Sequence, residues 1–276
     1  MSYRDGTLQV GFPKPGKTLK VVLIGVFAVW LAFAIGLNWA GAPESAFTIF
    51  CGSTEAILRG EVWRLLTAPW MHLPVGSLGH VLSVLLGLYF LGPSLEESWG
   101  SKRFAWFLFF SSIIAYGTQM VFELVMPARI SARLVGEYWY GAMPVVEAIA
   151  IAYALSFRGR VVRLFFVLPV SSRGLIAFVV GVSVLYVIIA AQTPSGLVAP
   201  FGGMLAGWLL GGSSPSPLRR AWLKLRLAQL DAEARREARA RKGRIGKSGL
   251  RVIEGGRQRD SDSGEQPSKS DGRWLN

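Results

Sequence analysis

Charged residues divide this chain into blocks. None occurs from Val21 to Pro43, from Leu65 to Leu95, from Phe104 to Phe122 or from Gly174 to Leu218, and about 20 mostly apolar residues cross a bilayer as a helix. The last block is 45 residues long and contains the polar, Pro- and Gly-punctuated break QTPSGLVAP, so it divides into two spans. A weaker apolar segment, Trp139 to Phe157, is interrupted only by Pro144 and Glu147. The pattern predicts an all-α membrane protein with six transmembrane helices, roughly 19–41, 76–95, 104–123, 139–157, 174–191 and 197–213.

The connections carry their own patterns. Residues 1–18 are a polar cytoplasmic arm containing Pro13 and Pro15. The stretch Gly41 to Pro74 is too apolar for a solvated linker: Phe47, Phe50, Ile57, Trp63 and Trp70 all need cover, which places it partly in the membrane interface. Residues 158–173, RGRVVRLFFVLPVSSR, are a basic, partly β-branched connection lying along the bilayer. Over 214–242 a basic juxtamembrane segment favours helix, with two apolar stripes, Leu218, Trp222, Leu225 and Leu223, Leu227, Leu230. A basic helix after a span reads as an interfacial helix on anionic lipid. From 243 to 276 the tail is rich in Gly, Ser, Arg and Asp and is expected to be disordered.

Charge then orients the bundle. Six spans put both ends on one side; 26 of the 30 Lys and Arg residues then lie on that side, against Arg59, Arg64, Arg129 and Arg133 on the other. Without the tail the ratio is ten to four, so the positive-inside rule predicts both termini cytoplasmic; the expected location is a bacterial inner (plasma) membrane. The net charge of +13 is thus topology plus tail rather than a nucleic-acid surface, since no nucleic-acid motif accompanies it. The first apolar stretch is long enough to span and has no clear cleavage site, so no signal peptide is expected. Cys51 is the only cysteine, which excludes an internal disulfide and a thiolate metal cluster. Gly246-Lys247-Ser248 imitates the end of a phosphate-binding loop, but Arg241 stands where that loop requires glycine.

The stretch Gly60 to Gly100, GEVWRLLTAPWMHLPVGSLGHVLSVLLGLYFLGPSLEESWG, resembles the first loop and second span of the rhomboid family of intramembrane serine proteases. Trp63-Arg64 matches the family's loop pair, His72 follows at the usual distance, and His80 sits where the second span opens, on the oxyanion side of the family's site. Gly92, Glu96 and Gly100-Ser101 match the end of that span. The resemblance implies a six-helix rhomboid-like bundle over 19–213. It also implies that the chemistry is gone. The family's Gly-x-Ser-Gly corresponds to Tyr138-Trp139-Tyr140-Gly141, with Tyr140 in the serine position, and its His-x-x-Gly-x-x-x-Gly corresponds to Pro200, Gly203 and Gly207, with Pro200 in place of the base. The family's second-span Asn is Val84. Gly203 and Gly207, four apart, still allow a close helix approach.

The composition agrees without the family pattern. A serine nucleophile needs a base within hydrogen-bond reach, yet no histidine follows His80 and no lysine lies between Lys102 and Lys224. A dyad survives only if His72 or His80 reaches a stray serine such as Ser195. Two histidines without cysteine partners make no metal site, and no cofactor is expected. Glu147 is the remaining anomaly: an ionisable group within a span usually faces a cavity or a partner, with Ser83 or Gln119 as candidate hydrogen-bond partners. Three readings follow. The leading one is a pseudoprotease, most like a catalytically inactive rhomboid, that holds transmembrane protein clients in the lipid bilayer without cutting them. The alternatives are an active serine-type endopeptidase with a displaced dyad, and a small transporter centred on Glu147. The oligomeric state is left open.

Overall fold

The computed structural model describes residues 14–74, 78–127, 136–157, 161–164, 168–189, 193–211 and 217–247. Compact packing divides the chain into two units, Met1–Leu223 and Lys224–Asn276. In the first, α1 (Lys17–Asn38) leads into a loop carrying three short helices, α2 (Ser45–Thr48), α3 (Thr54–Leu58) and α4 (Arg64–Thr67), and a 3-10 turn at Ala68–Trp70. There follow α5 (Leu78–Trp99), α6 (Ser101–Val125), α7 (Met143–Ser156), the strands β1 (Val161–Leu164) and β2 (Leu168–Ser171), α8 (Ser172–Ile189) and α9 (Ala199–Leu210).

All six predicted apolar segments contain a helix, but their lengths differ. α1, α5, α6 and α8 are long and apolar enough to cross a membrane; α7 and α9 have 14 and 12 residues, ~21 and ~18 Å at 1.5 Å per residue against a hydrocarbon core of ~30 Å. The helices within the predicted spans 139–157 and 197–213 are therefore shorter than those spans. In each, proline stands at the first turn, Pro144 in α7 and Pro200 in α9, where its missing N–H costs nothing and its fixed φ starts a helix.

The helix faces explain the packing. On α6 the buried residues are Phe104, Phe107, Leu108, Ser111, Ser112, Ala115, Tyr116 and Gln119, a continuous stripe with period near 3.6, while Trp106, Phe109 and Phe110 face outward and pack on one another. α7 is buried almost all round, from Pro144 to Ala152, as befits the central helix of the bundle. α9 lies directly on it. A Cβ on Gly203 would sit 1.9 Å from the Pro144 carbonyl oxygen and one on Gly207 2.3 Å from that of Ala148, so glycine is required for backbones this close. Gly202 faces the opposite way, onto the Ala115 carbonyl of α6.

A carboxylate joins the bundle at the other end. Glu96 of α5 is buried and accepts the N–H groups of Thr18 (2.8 Å) and Leu19 (3.1 Å) and the Ser101 hydroxyl (2.6 Å). It caps the first turn of α1 from a distant element, where the helix dipole favours negative charge. Gly100, at φ +81°, makes the break between α5 and α6 with a backbone that residues bearing Cβ rarely adopt.

Two predictions need correction. The chain is mostly helical rather than all-α: within 158–173, β1 and β2 pair antiparallel, Val161 opposite Ser171 and Leu164 opposite Leu168, where Val161, Val162 and Val170 suit a pleated ladder. In the tail, α10 (Pro217–Lys247) runs into the segment expected to be disordered from 243, because Ala, Arg, Lys and Glu sustain helix as far as the Gly243 region. The rest of that segment, 248–276, lies outside the described residues, as do residues 1–13 of the N-terminal arm and Arg129, Arg133, Arg158 and Arg160. Considered by itself, α10 exposes Trp222, Leu225, Leu227 and Leu230; the side chain of Leu218 lies outside the description.

Candidate functional site

The site is built on the loop between α1 and α5. Arg64, buried at the start of α4, gives one terminal nitrogen to the carbonyls of Thr48 and Cys51, both at 2.7 Å, and its remaining donors to Glu61 at 2.7 and 2.6 Å. One guanidinium thus ties the ends of α2 and α4 together, a task its planar fork performs and an ammonium would not. Trp63 beside it is 45% exposed. Cys51 is buried, and burial pushes its thiol up to about 12, the nearby Arg64 opposing the shift; it is not a thiolate at neutral pH.

The segment 139–142 crosses behind this loop, and each of its backbone N–H groups is taken by a different element. Trp139 and Gly52 exchange two hydrogen bonds, at 2.8 and 2.9 Å. Tyr140 N–H donates to the Pro194 carbonyl at 2.7 Å, Gly141 N–H to that of Ala68 at 2.9 Å, and Ala142 N–H to Nε2 of His72 at 3.3 Å. The Gly141 carbonyl accepts the Tyr116 hydroxyl, and Tyr116 stacks on Trp139 with ring centroids 4.6 Å apart. A Cβ on Gly52 would enter the Trp139 ring.

Both predicted histidines meet at this segment. His72 is 1% exposed. Its Nε2 accepts from Ala142, so Nδ1 carries the proton and donates to the Trp70 carbonyl at 3.2 Å. Burial, reinforced by the neighbouring His80, lowers its pKa from 6.5 to about 4, against the raising effect of the Trp70 bond. The ring is therefore neutral, and both nitrogens are committed to backbone. His80, half-buried in the first turn of α5, lies 5.2 Å from His72 between ring centroids. Its ring covers Gly141, where a Cβ would come 2.5 Å from Cε1, and Gly141 has φ +104°. Both facts bar any side chain at Gly141.

The two residues expected at the dyad positions, Tyr140 and Pro200, pack in different places. Tyr140 packs edge-on against Phe47 at 5.4 Å and joins the loop cluster of Phe47, Cys51 and Met71. Pro200 is buried in the first turn of α9. The N-terminus of α9 is capped by the side-chain oxygen of Gln119, which accepts from Val198 at 2.7 Å and Ala199 at 3.2 Å, while its amide donates to Glu123 at 2.8 Å. Ser195 is buried in the loop that meets Tyr140, but among the described residues no hydroxyl hydrogen-bonds to either histidine. Val84 is fully buried and offers no donor.

Glu147 has a partner that differs from both candidates. Its Oε1 accepts the Ser183 hydroxyl of α8 at 2.6 Å, and Oε2 is buried without one. Ser83 instead bonds to the Gly79 carbonyl of its own helix, and Gln119 caps α9. Gln119 in that role, Tyr116 as a donor to Gly141, and Glu96 as a cap for α1 are positions whose function pattern reading missed. A polar residue on a buried stripe is the sequence signal each of them offers.

A profile of the Rhomboid domain matches residues 59–213, more than half of the chain, from the loop through α9. Over 106 residues the chain is 28% identical to "Inactive RHOMBOID-like protein 8" of Arabidopsis thaliana, covering 38% of this chain and 25% of that relative. The match spans only a quarter of the relative's length. The Rhomboid domain together with the apolar helices makes this a multi-pass membrane protein, and the chain belongs to the rhomboid family.

Proposed function

We propose that this protein is a rhomboid pseudoprotease: a six-span membrane protein with both termini cytoplasmic that holds transmembrane clients without cleaving them. The observation that carries the reading is the saturation of the site. Acyl transfer requires a nucleophile beside a base, and free donors where the oxyanion develops. Here the backbone N–H groups of residues 139–142 and both nitrogens of His72 are already bonded, Tyr140 and Pro200 occupy the dyad positions, and Val84 supplies no donor. The inactive name of the plant relative supports the same reading.

Client capture is supported by α8. It buries Ser172, Leu175 and Ser183 and leaves Phe178, Leu185, Tyr186 and Ile188 exposed, so an apolar client helix would find a lateral surface beside the bundle. The first test is labelling of the folded, detergent-solubilised protein with a fluorophosphonate, beside a cleavage assay on a generic transmembrane substrate. No label and no product are expected, and Tyr140→Ser with Pro200→His should restore neither, because the Tyr140 N–H is held by Pro194. A single labelled serine in the unaltered chain would instead establish an active protease. Capture is tested separately with a photo-crosslinking residue at Leu185 in native membranes. Adducts to membrane-spanning proteins are expected; adducts to lipid alone would remove client binding from the reading.

A further inference from the structure

A groove of about 510 Å³ opens between α1 and α6 and was not anticipated from the sequence. Its walls include Val22 and Val26 of α1 and Leu108 and Phe109 of α6, and it is closed at the loop end by Pro69 and Trp70. Its polar wall groups are already used: the Thr18 hydroxyl donates to the Ser101 carbonyl and the Ser112 hydroxyl to that of Leu108, both at 3.0 Å. The interior therefore offers dispersion and apolar burial, and no unpaired donor.

The mouth has the opposite character. Lys17 lies on the groove, with Lys14 and Lys20 flanking it in the chain, all three exposed. The Thr18–Ser101 bond brings the start of α6 alongside, with Lys102 and Arg103 exposed. Arg103 sits over the Trp99 ring at 4.8 Å. Among the described residues none of these cations is in an ion pair. Of the nearby acids, Glu96 is committed to Thr18, Leu19 and Ser101, which leaves Glu97 against five cations.

From Lys17 to Val26 the groove runs ~14 Å along α1, and a single hydrocarbon chain matches its apolar walls. Basic pockets at the end of transmembrane helices favour anionic headgroups. We propose that this groove binds one acyl chain of an anionic glycerophospholipid, whose headgroup phosphate rests on Lys17 and the neighbouring Lys102, in the leaflet where α1 begins.

The test uses the full chain in mild detergent, exchanged against phosphatidylglycerol or phosphatidylcholine of identical chains, with native mass spectrometry counting retained lipid. One phosphatidylglycerol is expected, retained about tenfold over phosphatidylcholine, the discrimination that one or two interfacial cations give. A phosphatidylglycerol bearing a diazirine on its acyl chain should label peptides of α1 and α6. Ala105→Trp, which places a ring in the open wall, should abolish retention, and Ser112→Phe should do so from the deeper end. Lys17→Glu with Lys102→Glu should lower phosphatidylglycerol to the phosphatidylcholine level while leaving the groove open. Equal retention of the two lipids by the unaltered chain would overturn the headgroup assignment. Retention that survives both filling variants, or labels confined to other helices, would overturn the groove.

Discussion

His72 shows how much a single residue's meaning depends on its partners. In the sequence it is a loop histidine that matches a family position, available in principle as a base. In the fold its Nε2 accepts from Ala142 and its Nδ1 donates to Trp70, so a second proton would set two N–H donors against each other in a buried site. The pH dependence follows. With a folded pKa of about 4 against 6.5, the unfolded chain takes up the proton first as pH falls, so His72 costs stability progressively from about pH 6.5 down to about pH 4, by up to ~3 kcal/mol. Thermal unfolding in detergent at pH 7 and pH 4.5 checks this: the unaltered protein should lose more stability on acidification than His72→Gln, whose side chain has no such titration. Equal losses would mean that the ring is already protonated or not buried. The residue types of Tyr140 and Pro200, at the positions the resemblance assigns to the dyad, were legible from the sequence. The four engaged N–H groups of 139–142 were not, since backbone donors are the same in every sequence.

The elements differ in how firmly they are held. α7 and α9 meet along Gly203 and Gly207 with backbone against backbone, a contact that glycines four apart announce. α8 is different, because most of its large apolar side chains face outward, and the Ser183 hydroxyl joins it to Glu147 of α7. Interhelical hydrogen bonds in membranes contribute ~0.6 to 2 kcal/mol. In a double-mutant cycle of Ser183→Ala and Glu147→Gln, read by reversible unfolding in mixed micelles, a coupling of ~1 kcal/mol is expected. Additive losses would show that the pair is not coupled. The charge-free blocks revealed that helices exist here, but not which of them Glu147 addresses. Ser83, Gln119 and Ser183 are all polar residues on apolar helices, and only the rotation of each helix about its axis selects among them.

For the whole molecule, orientation and architecture rest on different information. The excess of Lys and Arg on the predicted inner side is ten to four even without the tail, so a chain ending at residue 216 should keep its C-terminus cytoplasmic. Fusion of alkaline phosphatase and of a fluorescent reporter at that residue checks this: fluorescence without phosphatase activity is expected, and the reverse would show that the tail sets the topology. Sequence alone determined the apolar helical segments, the family and the glycine seam, because each is a property of residue type and spacing along one chain. Tertiary structure decided the rest. Which groups Glu96, Gln119 and Arg64 satisfy, whether the oxyanion-side donors are free, and that α1 and α6 enclose a groove with a basic mouth all depend on contacts between residues tens of positions apart. Those contacts follow from how buried faces pack and how buried polar groups find partners, which no local pattern encodes.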